Sequence, residues 1–211
     1  AALAAVAIIA VAWTIEAMLH RSYTESDSWL RVGLRFDDVA LLHDERSDVQ
    51  RVQVYQHRSF GNILVLDGDL MLTSRDHFSY HEMMVHVPMS LLGPAAQRVL
   101  VVGGGDGGVV CELLRYPSLS RITVVEIDAA VPRAAKQYFP EIGSCLDDSR
   151  VELVIRDAAA WAAEAAAEPH MRASFDLIVM DSSDFGPATP LFETSFHLDL
   201  RALLAGPQHH H

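Results

Sequence analysis

The sequence predicts an α/β protein: a domain with a parallel-sheet core, preceded by a small antiparallel β unit. Three observations predict it. From Arg98 onward, four apolar runs alternate with helical segments. A glycine run, Gly103-Gly104-Gly105-Asp106-Gly107-Gly108, follows the first of those runs directly. An acidic residue stands at or just after the end of each run: Asp106, Glu126, Asp157 and Asp181.

The elements follow in chain order. Residues 1–21 open on a stretch from Ala1 to Leu19 that is almost wholly apolar, with Glu16 as its only charge. At roughly 20 residues such a stretch is long enough to span a bilayer. A membrane helix tethering a cytoplasmic catalytic domain is the first reading; a soluble packed helix and a targeting remnant are the alternatives. Residues 22–92 form the second region. Within it, residues 22–35 are polar and mixed and read as a linker. Val49 to Gln56 alternates apolar and polar residues, Ile63 to Leu66 is a short strand, and Asp67-Gly68 signals a hairpin before Leu70 to Thr73. Residues 76–92 have apolar spacings of three and four, which predicts a helix broken near Pro88.

Residues 93–206 form the nucleoside-binding region. Arg98 to Val102, Arg121 to Ile127, Arg150 to Ile155 and Phe175 to Met180 are the four strands. Between them lie helices at Val109 to Tyr116, Ala129 to Tyr138 and the Ala-rich Ala158 to Glu168; Leu191 to Leu204 is a further helix. This alternation implies right-handed crossovers and a sheet covered on both faces. Residues 207–211 are a tail whose three terminal histidines read as a tag remnant and carry no site argument.

In open α/β sheets a ligand sits beyond the carboxyl ends of the strands. The glycines let the chain turn sharply there and let a ligand approach the backbone. Glu126 lies 22 residues past Gly104, near the spacing at which a carboxylate meets ribose hydroxyls in this kind of fold. Asp106 argues against a pyrophosphate, which a carboxylate would repel. It suits a positively charged ligand such as a sulfonium nucleoside.

Composition narrows the class further. A formal charge of −12 argues against nucleic acid as a partner. Cys111 and Cys145 sit in no Cys/His cluster, so the sequence predicts two reduced buried thiols, and no metal-site spacing is present. His81 and His86 read as surface or supporting residues rather than catalysts.

Several motifs now fall in order: Asp67-Gly68, Arg75-Asp76, Phe78-Ser79-Tyr80-His81-Glu82-Met83, the glycine run, Val125-Glu126-Ile127-Asp128 and Asp181-Ser182-Ser183-Asp184. Together they resemble the polyamine aminopropyltransferases, of which spermidine synthase is the best-known type, from about Trp29 to Leu204. The resemblance implies a methyltransferase-like Rossmann domain behind an N-terminal β unit. It implies aminopropyl transfer from decarboxylated S-adenosylmethionine, a co-substrate rather than a bound cofactor, to a diamine such as putrescine, with 5′-methylthioadenosine released. Carried over by motif, Glu126 holds the ribose and Asp157 the adenine amino group, with Gln50 and the glycines Gly103, Gly104 and Gly105 beside the nucleoside. Asp106 takes the amine end of the aminopropyl arm. Asp181 is the base, helped by Tyr80, while Asp184, Tyr80 and His81 face the substrate amine. The stretch from Ser182 to Leu191 is the gate.

The chain departs from the family pattern at Met71, where Gln is usual, at His77, where Glu is usual, and in a gate shorter by one residue. The family also continues for several strands beyond Leu204. That predicts FDLIVM as an exposed apolar sheet edge, and hence a homo-oligomer or impaired catalysis. Two rival readings accompany the leading one: an S-adenosylmethionine-dependent methyltransferase, and a family member without activity serving as a binding or regulatory subunit.

Overall fold

The structure, a computed structural model, describes residues 21–27, 32–183 and 186–206. The apolar segment of the first twenty residues lies outside them. Among the described residues no helix is long and apolar enough to cross a membrane. The chain divides into two compact units, one of residues 1–45 and 51–75, the other of residues 46–50 and 76–211.

The first unit is a five-stranded sheet in sequential order: β1 (Arg21–Asp27), β2 (Val32–Arg46), β3 (Arg51–His57), β4 (Gly61–Leu66) and β5 (Asp69–Thr73). Of the linker expected at residues 22–35, residues 22–27 and 32–35 are thus strand. Among the described side chains of β1 and β2, Tyr23, Phe36 and Val39 are the buried hydrophobics, so the ladder there is largely solvated and shows little apolar alternation. Those three pack with Ile63 and Val65. The Tyr23 ring stacks on Tyr55 at 5.5 Å, and its hydroxyl donates to the Gly68 carbonyl at 2.8 Å. Burial is the largest influence on the Tyr23 hydroxyl and pushes its pKa up, with Glu25 and Asp69 adding to the effect. The expected hairpin is present: Asp67 and Gly68 both take positive φ, 51° and 103°, as a type I′ turn requires.

The second unit is a parallel sheet of β6 (Arg98–Gly103), β7 (Arg121–Glu126), β8 (Val151–Ile155) and β9 (Leu177–Asp181), in the order β8-β7-β6-β9. Its helices are α1 (His77–Leu92), α2 (Gly108–Leu114), α3 (Ala130–Tyr138), the single turn α4 (Pro140–Gly143), α5 (Ala158–Ala167) and α6 (Thr194–Leu203). Alternate residues of β6 feed two cores. Val99 and Val101 pack with Val85 and Met89 of α1 and Val109, Val110 and Leu113 of α2. Leu100 and Val102 pack with the α5 alanines Ala158, Ala162, Ala165 and Ala166, and with Phe196 and Leu200 of α6. A strand buried on both faces reads as an unbroken apolar run, which is why β6 was legible. The small α5 side chains let that helix lie close to the sheet.

Two expectations are corrected here. First, α1 runs through Pro88 without ending. Proline removes one hydrogen bond to the carbonyl four residues back. The stripe His81, Val85 and Met89 is buried on both sides of it and holds the helix down. Second, Cys111 and Cys145 are not free thiols but a disulfide with Cα atoms 5.3 Å apart. Cys111 lies on α2 and Cys145 in the 3₁₀ turn Ser144–Asp147; the two elements pack together although 34 residues separate the cysteines.

Closing a loop of that length restricts the unfolded chain, and typical disulfides stabilise by about 2–4 kcal/mol. Purified oxidised protein, denatured without a reductant, is expected to show no reactive thiol. Reduction, or Cys145→Ser, should lower the denaturant midpoint accordingly. A full complement of titratable thiols in native oxidised protein would contradict the bridge.

Candidate active site

β7 and β8 extend the sheet on one side of β6, and the chain then returns to place β9 on the other. This reversal next to β6 makes the crevice beyond the strand ends where ligands bind in such sheets. The parallel register sets Gly103 opposite Asp181. The Gly104 amide then donates to the Asp181 carbonyl at 2.9 Å. Gly103 and Gly104 have φ of 79° and 72°, and a Cβ on Gly103 would fall on that same carbonyl. Only glycine fits there, on both counts.

The Asp181 carboxylate turns into the crevice. Its Oδ1 accepts a 2.9 Å hydrogen bond from the Tyr80 hydroxyl of α1, while its Oδ2 is sealed from solvent without a hydrogen-bond partner. Burial pushes the Asp181 pKa up to about 7, with the charge of Asp106 adding to it; the Tyr80 hydrogen bond and His81 act the other way. Tyr80 is half exposed, and its pKa is also raised, by burial first and by Asp181 second.

Asp106 reaches the crevice from the glycine turn. Its Oδ1 accepts from the Gly108 amide at 2.6 Å and lies 3.6 Å from His81 Nε2. His81 is only 2% exposed. Of the two readings the sequence leaves for it, surface or supporting, His81 is thus a buried residue beside Asp106. Gly108 makes room for it, since a Cβ there would fall on the imidazole ring. One donor atom each from His81, Asp106 and Asp181 lies within 4.8 Å of the other two. Two carboxylates and a histidine converging this closely offer a place for a cationic group. His86, by contrast, is engaged with Tyr116 at 2.8 Å and Glu112 at 3.0 Å.

Glu126 ends β7 and is buried. Its Oε2 accepts from Gly105 N–H at 3.2 Å and its Oε1 from Asp128 N–H at 2.9 Å. Burial nevertheless pushes its pKa up to about 7, against those backbone hydrogen bonds. Asp128, absent from the sequence-based site, caps the start of α3 through Ala130 N–H at 2.9 Å. Its Oδ2 accepts from the Ser47 hydroxyl at 2.7 Å, and the same hydroxyl oxygen accepts from Gln50 N–H at 3.0 Å. Gln50 is buried and stands just before β3, not within a strand. Asp157 is exposed and caps α5, accepting from Ala160 N–H at 3.0 Å. Asp184 lies outside the described residues. The structure therefore gathers Tyr80, His81, Asp106 and Asp181 into one cluster, sets Glu126 against the glycine turn, and leaves Asp157 at the end of β8.

Comparison with known proteins places this geometry in a family. The spermine/spermidine synthase domain matches residues 77–206. The chain belongs to the spermine/spermidine synthase family. The spermidine synthase tetramerisation domain matches residues 23–74. Over 164 residues the chain is 43% identical to a polyamine aminopropyltransferase of Bacillus mycoides, covering 77% of this chain and 57% of that one. Over 188 residues it is 43% identical to one of Halorhodospira halophila, covering 88% and 64%. A spermidine synthase solved in complex with the transition-state analogue AdoDATO superposes with a TM-score of 0.81 at 33% identity, covering 88% of this chain and 62% of that one. The spermidine synthase of Thermotoga maritima gives 0.77 at 33%, covering 88% and 60%. The chain thus spans less than two thirds of the length of these relatives. The expected methyltransferase-like α/β fold agrees with these structures.

The buried Asp181 carboxyl has a consequence for stability. Its folded pKa, about 7, lies above the ordinary 3.8, so the folded state holds the proton more tightly. Its contribution to stability is full below the ordinary value and is lost as pH rises towards the folded one. Asp181→Asn has no proton to lose and keeps an acceptor for Tyr80. At about pH 8 it should be more stable than wild type by roughly 1–3 kcal/mol, with the gap closing towards pH 5. Thermal unfolding at both pH values measures this; a variant less stable at pH 8 would refute it.

Proposed function

We propose that this protein transfers an aminopropyl group from decarboxylated S-adenosylmethionine to a diamine, putrescine giving spermidine, with release of 5′-methylthioadenosine. The observation that carries the reading is the Tyr80–Asp181 hydrogen bond standing beside Asp106 and His81 at the strand ends. The polyamine aminopropyltransferases and spermidine synthases it resembles support the same chemistry.

In this reading Glu126 accepts the ribose hydroxyls, Asp157 the adenine amino group, and Gln50 lies beside the nucleoside. Asp106 pairs with the ammonium of the aminopropyl arm, and Asp184 with an ammonium of the diamine. A diamine in water is doubly protonated, with pKa values of about 10. One nitrogen must lose a proton before it has a lone pair. Asp181 takes that proton, and Tyr80 orients the amine. The nitrogen lone pair then attacks the methylene next to sulfur. The C–N bond forms, the C–S bond breaks, and its electron pair returns to sulfur as a neutral thioether. No general acid is needed for such a leaving group. Catalysis is alignment plus one proton transfer. No permanently bound cofactor takes part. The match of residues 23–74 to a tetramerisation domain supports a homo-oligomer.

The test supplies decarboxylated S-adenosylmethionine and putrescine and measures methylthioadenosine and spermidine. Activity should rise with pH through about 7 as Asp181 ionises. Asp181→Asn should lower kcat by about 10²–10⁴-fold. Turnover confined to S-adenosylmethionine itself would instead indicate a methyltransferase, and nucleoside binding without turnover a binding subunit.

A further inference from the structure

His77 and His81 stand one helical turn apart on α1, on the stripe that continues into Val85 and Met89. Their Nδ1 atoms face each other at 3.2 Å, with ring centroids 5.3 Å apart. The other nitrogen of His81 faces Asp106. The three groups form a line from a half-buried ring, through a buried ring, to the carboxylate at the head of the crevice.

The space between the two Nδ1 atoms holds one proton. If His77 carries it, His81 is a neutral acceptor that keeps its Nε2 proton towards Asp106. If His81 carries it, His81 is an imidazolium and His77 must be a neutral acceptor. Two protons between the rings would set donor against donor. The pair therefore holds one positive charge at most, and where that charge sits matters to Asp106.

We propose that His77 is a positioning residue: it sets the proton content of His81, and so decides whether Asp106 meets an incoming ammonium unneutralised. The proposal rests on the reading of Asp106 as the carboxylate that receives the amine of the aminopropyl donor.

The surrounding charges fix the order of loading. His77 feels Asp76 just before its helix, His81 of the same helix, Asp106 of the glycine turn, and Glu141 of α4. His81 faces Asp106, Glu112 of α2 and Asp181 of β9. Burial, the largest single influence, opposes charging His81, but the contact with Asp106 and the charges of Asp106, Asp181 and Glu112 together act the other way, and the His81 pKa is raised. His77 is lowered, by burial first and by His81 second. The first proton accordingly goes to His81, with His77 as its acceptor. In that state an imidazolium already neutralises Asp106, and a substrate ammonium must displace its influence. Once the pair is neutral, Asp106 offers its full charge. Binding of a cationic arm thus expels a proton from the histidine pair.

Two nucleosides isolate this effect: an adenosine thioether bearing a 3-aminopropyl chain, and 5′-methylthioadenosine, which has no amine. Their affinities for the full chain are measured between about pH 5.5 and 8.5. In wild type the preference for the amine-bearing compound should grow with pH. His77→Leu removes the acceptor that stabilises charged His81. The growth should then begin at lower pH, and at about pH 6 the preference should be at least threefold above wild type. His77→Gln, whose amide can donate or accept, should keep the wild-type profile. A His77→Leu profile that superposes on wild type would overturn the proposal. The His81 imidazole is also titrated by NMR in ligand-free protein. Its midpoint should fall in His77→Leu and stay in His77→Gln; no movement in His77→Leu overturns the coupling. Should His77→Leu not fold, His77→Lys puts a fixed charge beside His81 and must lower the same midpoint. If neither nucleoside binds wild type, the aminopropyl-donor reading fails, while the NMR titration still decides the role of His77.

Discussion

Asp181 binds the site together through two different parts of itself. Its backbone carbonyl receives the Gly104 amide and so fixes the glycine turn to the end of β9. Its carboxylate receives the Tyr80 hydroxyl and so fixes the turn and the sheet to α1. The glycine turn then delivers Asp106, and through Gly105 it donates to Glu126. Remove the register that sets Gly103 opposite Asp181, and each of these placements loses its reference.

The site concentrates negative charge where water is scarce. Burial makes Asp181 and Glu126 both harder to ionise, each with a pKa pushed up to about 7. Without a cation such a cluster is costly, because desolvated carboxylates repel one another. A cationic ligand reverses the balance, supplying the charge that the protein leaves out. Under the proposed aminopropyl transfer, recognition of a cation by a chain of net charge −12 rests on this local arrangement and not on the bulk charge.

The sheet and its strand-end carboxylates were legible in the sequence, because strands buried on both faces write themselves as unbroken apolar runs. Glu126 was legible through its spacing from the glycines, and Asp181 and Tyr80 through the family motifs. The contact between them was not, since 101 residues separate the two and only the fold brings them together. β1 was missed because its ladder is mostly solvated and carries polar residues on both faces. The disulfide was missed because no local spacing announces a partner 34 residues away. The burial of His81 could have been suspected from its place four residues before Val85 and eight before Met89 on one stripe. The companion His77 follows from the same spacing one turn earlier.

The short excursion at residues 46–50 has a bearing on how the molecule can be taken apart. Those residues belong to the second unit although β-strands of the first flank them in sequence. Ser47 donates to Asp128 there, and Asp128 in turn caps α3. The half of the protein that carries the strand-end carboxylates is therefore discontinuous in the chain. A single cut between β5 and α1 would strand Ser47 and Gln50 on the wrong fragment and take from Asp128 one of its donors. Any dissection, circular permutation or graft of this half has to bring the five-residue loop along with it.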